Sequence, residues 1–364
     1  MLQQSAVIEG TKNGIYVEGG VVTVNTTDVT GKIHFDGTAS SDAKLTITEA
    51  LKTITNNGAL INGLTKVEGD NDYYHSIRAL MHKDNNGKTV TMLTDYIGSS
   101  SIPYASYSNI SVTLDTNGHS FTTTARGVVD VKNSGSLTII NSTSNPSALT
   151  ASGDPYVSWN GSVTSAAAIW VYDDCTLTIG ENVSLTQTNA DGIGVILWGA
   201  NPVLSLQGGT IEGQTYGVTG NGSSTTNSTI SITSGTIKGG AAGIYHPESG
   251  NVNVSGGTII GGVGIQMCSG TLNVTGGTIT GGGTDNRATK TGDGLIPDGA
   301  AISIVNRAGY SGVPSATITG ATVTNGILAY TWSNDTVSEE KTLDSVDASK
   351  TYTIVYDSEW TGLE

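Results

Sequence analysis

The side chains of this chain that could do chemistry are aromatic and acidic, and they recur at intervals. Trp170 and Tyr172 precede the pair Asp173-Asp174; Trp198 follows, and then Tyr245-His246. Two glycine-rich stretches add Tyr156 with Trp159, and Asp285, Arg287, Lys290, Asp293 and Asp298. Aromatic rings offer broad contact area at low entropic cost, which suits stacking against sugar rings. Paired carboxylates serve as the acid and base of glycoside hydrolysis, or as oxygen ligands of a hard cation. Asp285, Asp293 and Asp298 could offer oxygens to calcium, but they have neither EF-hand nor nonapeptide spacing. No cofactor is expected.

Whether these groups meet depends on the elements that carry them, and the carrier is a repeat. LSLQGGTIEGQ, ISITSGTIKGG, VNVSGGTIIGG and LNVTGGTITGG follow one another, with threonines at Thr210, Thr236, Thr258 and Thr278 and steps of 26, 22 and 20 residues. A repeat of that length cannot bury an apolar face alone; stacked, Ile211, Ile237, Ile259 and Ile279 form a continuous spine. Paired inward positions run Val112/Leu114, Leu137/Ile139, Leu177/Ile179, Leu204/Leu206, Ile230/Ile232, Val252/Val254, Leu272/Val274 and Ala316/Ile318, which makes eight turns. A strand before each pair points Ile169, Val195, Val218, Ile244, Ile265, Ile302 and Leu328 inward, and the Thr-Ile segment is the third strand of the turn. Strands alternate their side chains, so Trp170, Ile196, Thr219, Tyr245, Gln266, Ser303 and Ala329 form an outward column.

Three short strands per turn with glycine corners suit an all-β, right-handed parallel β-helix of eight or more turns better than a hairpin-built sandwich. Through its GGTI repeats and LDTNGHSFT at Leu114 to Thr122, the chain resembles the right-handed parallel β-helix superfamily that contains the pectate lyases. More narrowly, it is similar to the β-helical regions of large surface proteins of gut-dwelling Gram-positive bacteria. In those an amphipathic helix and a strand lead into the coil, as YYHSIRALMHKDNNGKTVTMLTDY does here. The resemblance implies an extracellular protein, secreted or attached to a cell surface. It also implies one of several functions, because the superfamily includes lyases, hydrolases and adhesins. Asp173-Asp174 resembles one element of the polygalacturonase pattern, whose Asn-Thr-Asp, Gly-His-Gly and Arg-Ile-Lys companions are missing.

Residues 1–100 read as a small α/β N-terminal cap, residues 101–332 as the coil and residues 333–364 as a C-terminal cap or extension. In the first region Thr46 and Glu49 form a capping-box pattern for a helix to about Ile54, and Tyr74, Ile77, Leu80 and Met81 give a second helix, Tyr73 to Lys83, its apolar face. Met1 to Val7 has neither a basic nor an apolar leader region, and the closing Leu-Glu resembles a vector junction; a signal peptide or anchor is expected to belong to the full protein. The formal charge of −15 and pI near 4.6 argue against nucleic acid, which requires a basic stripe. No apolar run is long enough for membrane insertion. Cys175 and Cys268 lie four turns apart, about 19 Å at the usual strand spacing, and should be free thiols.

Segments 151–165 and 283–299 both leave after the third strand and return at the first. They should wall a shallow groove floored by Trp170, Trp198 and Tyr245, with Tyr156, Trp159, Tyr172, His246, Asp285, Arg287 and Asp293 as further ligand-binding candidates and no catalytic residue. His246 beside Glu248 also reads as a corner hydrogen bond. The expected function is non-catalytic adhesion to a glycan or host glycoprotein, mucins and immunoglobulins included. A polysaccharide lyase or glycoside hydrolase using acids of the insertions and Asp173/Asp174 is the alternative, and a structural spacer is the third reading.

Overall fold

The computed structural model describes residues 64–70, 72–98, 109–157, 163–222, 226–289 and 294–363, with the strand segments 8–17, 21–24, 28–35, 44–47 and 53–55. It is a parallel β-helix. Each turn contributes one strand to each of three faces. Sheet 1 runs from Val129–Val131 through Ala167–Val171, Ile193–Leu197, Tyr216–Thr219, Ala242–His246, Val263–Met267 and Ile302–Arg307 to Ile327–Ser333. In sheet 2 all eight rungs stack in register, Leu114 on Ile139, Ile179, Leu206, Ile232, Val254, Val274 and Ile318. A further parallel rung, Thr89–Met92, precedes them. Sheet 3 stacks Leu149, Leu185, Ile211, Ile237, Ile259, Ile279 and Val323. The inward side chains merge into one continuous core.

Two glycine columns make the turns this tight. At the corner between sheets 2 and 3, Gly209, Gly235, Gly257 and Gly277 have φ of 67°, 91°, 81° and 91°, a region costly for other residues. At the second position of sheet 1 strands, Gly194, Gly217, Gly243 and Gly264 face the next rung's carbonyl and isoleucine methyl so closely that an added Cβ would lie 2.4–2.8 Å from them. At the far end Thr336–Leu343 lies antiparallel on sheet 1 and Thr351–Tyr356 antiparallel on sheet 2, which covers edges that would otherwise invite pairing.

Three expectations are corrected. Thr46 and Ile54 lie in strands, Lys44–Ile47 and Thr53–Thr55; the Thr46 hydroxyl donates to Asp72 across an antiparallel pair rather than capping a helix. Tyr73 and Tyr74 belong to strand Asp72–His75, and Ser76 at φ 60° breaks the chain into a 3-10 helix, Ser76–Met81. An α-helix cannot pass through that left-handed residue, although Tyr74, Ile77 and Leu80 are buried as their spacing predicts. The last inward residue of sheet 1 is Ile327, which pairs with Ile302, so Leu328, not Ala329, continues the outward column.

Candidate functional site

Sheet 1 carries the predicted outward column, but most of that column does not reach water. Trp170 is 5% exposed and Tyr245 is 3% exposed, and Gln266 and Ser303 are fully buried. With Leu295, Ile296, Val305, Tyr330 and Trp332 the outward aromatics form a second apolar cluster outside the coil. Trp170 is covered by Tyr172, Trp198 and Arg126, whereas over the later rungs the cover is the insertion 283–299. Instead of walling a groove, its described part lies flat on sheet 1. Gln266 donates to the Ile296 carbonyl at 2.7 Å and accepts from the Ile296 amide at 2.9 Å. Arg307 donates to the Gly294 carbonyl, and the Tyr245 and Tyr310 hydroxyls are 3.1 Å apart. A floor of Trp170, Trp198 and Tyr245 open to ligand is therefore overturned for Trp170 and Tyr245. His246 is a further correction: it is fully buried and sits in register with Met267 on the inward face.

What remains in contact with solvent is a patch at the start of the column. Trp198 is 43% exposed. Its indole lies 5.6 Å from that of Trp170, tilted by 54°, and Trp170 stacks at 5.6 Å and 17° on the half-buried Tyr172. Two cations lie over these rings, Lys132 at 4.3 Å from Tyr172 and Arg126 at 5.7 Å from Trp170. Both also hold the buried Asp130 carboxylate, Arg126 at 2.8 Å and Lys132 at 3.5 Å. Burial pushes the Asp130 carboxyl up while these cations pull it down. Alternation on the strand explains the geometry: Trp170 and Tyr172 are two residues apart on one face, and Trp198 is one rung above. Asp173 and Asp174 lie exposed at the corner, where Asp173 accepts from the Ala200 amide at 2.8 Å and Asp174 from Asn201 at 2.9 Å. They tie one turn to the next. Tyr156 lies in an antiparallel pair, Tyr156–Val157 with Val163–Thr164, whereas Trp159 and Asp293 fall outside the described residues.

A second feature lies about five rungs away, roughly 24 Å. The insertion, the last coil turn and the strand Thr336–Leu343 enclose an open cleft of about 460 Å³ lined by Asp285, Arg287, Asp298, Asn325, Glu340 and Asp344 among others. Asp285 is held by Arg287 at 2.6 Å, and Arg287 also meets Glu340 at 3.0 Å and lies over the Tyr330 ring. The hydrogen bonds from Arg287 keep the Asp285 carboxyl below its usual range. Burial pushes Asp298 the other way, against hydrogen bonds from Tyr330 at 2.7 Å and Ser303 at 2.8 Å. Glu340 and Asp344 were not legible as site residues, because only the chain's antiparallel return brings them beside the insertion, and Tyr330, on the last parallel strand of sheet 1, meets Asp298 only because the insertion docks there. Among the described residues no group of three or more His, Cys, Asp or Glu is placed to hold a metal ion, and no helix is long and apolar enough to cross a membrane. Comparison with protein-family models, curated proteins and solved structures finds no match for this chain.

Proposed function

We propose that this β-helix is a non-catalytic binding module of a surface-attached or secreted protein, and that it recognises glycans, alone or on host glycoproteins such as mucins or immunoglobulins. The observation that carries the reading is the exposed Trp198 indole, braced by buried Trp170 and continuous with Tyr172 beneath the Lys132 ammonium. A rigid aromatic surface on a stiff scaffold stacks on a sugar ring with little ordering cost. The Asp174 and Asn201 side chains at the adjoining corner supply polar groups for its hydroxyls. The resemblance to bacterial surface β-helices supports the same class of function. A glycan and host-protein array tests it: Trp198→Ala and Tyr172→Ala should each weaken the leading ligand about tenfold, a loss of about 1.4 kcal/mol. Unchanged binding in both variants would discard the patch, and no binding by the parent protein would favour a spacer.

The acidic cleft favours a second reading, a polysaccharide-cleaving enzyme. Asp285 is kept ionised by Arg287 while buried Asp298 is pushed toward its protonated form, the division of roles an acid and a base need. Reducing-sugar and unsaturated-product assays on pectin, uronate and mucin substrates decide between the two. Activity lost in Asp298→Asn but kept in Trp198→Ala would establish the enzyme.

A further inference from the structure

Inside the coil, at the corner between sheets 1 and 2, three chemically reactive side chains meet with no exposure to solvent: Ser228, His246 and Glu248. We propose that Ser228 and Glu248 condense into an intramolecular ester, with His246 as the acid–base group, joining two adjacent turns of the β-helix.

The geometry places each group for that step. The Ser228 Oγ lies 3.1 Å from His246 Nε2 and donates to Glu248 Oε1 at 2.8 Å. The same Nε2 lies 3.8 Å from Oε1, so one imidazole nitrogen serves both the attacking and the departing oxygen. Glu248 reaches this point because the rung below offers room: a Cβ at Gly220 would fall 1.7 Å from Oε1, and the carboxyl fills the inward place that glycine leaves. Ser228 pairs with Gly250 on neighbouring parallel strands, which holds the partners in register before any bond forms.

In the reaction His246 Nε2 takes the Ser228 hydroxyl proton as Oγ bonds to the Glu248 carboxyl carbon. The acid proton of neutral Glu248 is carried on Oε1; as the bond from the carboxyl carbon to Oε1 breaks, Nε2 returns the Ser228 proton to that oxygen, which leaves with both protons as water. A hydroxyl and a carboxylic acid become an ester and water, and nothing is oxidised or reduced. The step needs a neutral imidazole and a neutral acid, and burial supplies both: it lowers His246 to about 4 and raises Glu248 to about 8. Preorganised partners reach effective molarities of about 10⁵–10⁸ M, which favours loss of water in a dry core. Condensation leaves no Ser228 hydroxyl and no acid hydroxyl on Glu248 to be satisfied at a place closed to solvent.

Intact-mass spectrometry of the purified, denatured full chain is the test. The expected mass is that of the sequence less one water, and Ser228→Ala should restore the full mass while still showing a cooperative unfolding transition. Lys238 lies between the two partners, so trypsin should yield peptide 133–238 joined to peptide 239–287, and hydroxylamine should separate them. Ser228→Thr keeps the nucleophile and should keep the water loss. A folded parent protein at full sequence mass after prolonged incubation at neutral pH overturns the proposal. So does a water loss that survives in Ser228→Ala, because it would then arise elsewhere in the chain.

Discussion

Replacing Gly243 by alanine tests the closeness of the turns directly. The backbone there lies outside the positive-φ set, so alanine is conformationally allowed and by itself would stabilise by about 0.4–1 kcal/mol through the unfolded chain. Packing opposes it. The new methyl would lie 2.6 Å from the Ile259 Cγ2, 2.7 Å from the Gly264 carbonyl oxygen and 3.0 Å from that of Ile260, against about 3.5–4.0 Å for an ordinary carbon contact. Two of the three obstacles are backbone of the next turn and cannot rotate away. Overpacking costs about 1–3 kcal/mol, and with carbonyls as the obstacle the upper end applies, leaving a net loss of about 2 kcal/mol. Gly282→Ala is the control: its nearest neighbour, the Gly262 carbonyl oxygen, is at 3.2 Å, so its net effect should lie within about 0.5 kcal/mol of zero, the usual range away from such features. Urea unfolding followed by far-UV circular dichroism, with calorimetry at one scan rate, measures both. If Gly243→Ala proves no less stable than Gly282→Ala, the strand relaxes freely there and the tight stacking of the turns is wrong.

Ile259→Ala should cost about 2–5 kcal/mol by leaving a cavity in the spine, whereas Ile260→Ala, whose side chain is exposed on the next position, should change urea stability by less than about 0.5 kcal/mol. Burial pushes the Cys268 thiol up to about 12, and both cysteines are buried and free. A thiol reagent should therefore label neither in the native protein and both in denaturant. In the Ser228→Ala protein, which cannot form the ester, the two remaining groups set opposite pH trends. His246, lowered by burial to about 4 in the parent fold, loses stability as pH falls from about 6.5 toward 4; Glu248, raised by burial to about 8 there and raised further without the Ser228 hydrogen bond, loses it as pH rises from about 4.5 through 8. Their slopes oppose between about 4.5 and 6.5, so this pair should decline above 6.5, and adding Glu248→Gln should remove that decline in a melting-temperature series.

What the linear chain determined was everything with a short period. The eight paired positions of sheet 2, the inward isoleucines of sheet 3 and the positive-φ glycines after each Gly or Ser corner are local, because each turn repeats the same steric demand on the same few residues. The separation of Cys175 from Cys268 follows from counting turns, and both thiols are free. Tertiary structure decided what covers the repeat. Alternation could place Trp170 and Tyr245 on the outside of sheet 1, but their burial comes from neighbouring side chains and from an insertion that docks on that face with Leu295 and Ile296. His246 reads as a corner residue until its rung is stacked on that of Met267, and only the missing side chain of Gly220 admits the Glu248 carboxyl beside it. The cleft around Asp298 needs an antiparallel return from the end of the chain. Periodicity specifies which face a side chain takes; which distant segment lies over that face depends on the free energy of packing the two together, and no local pattern records it.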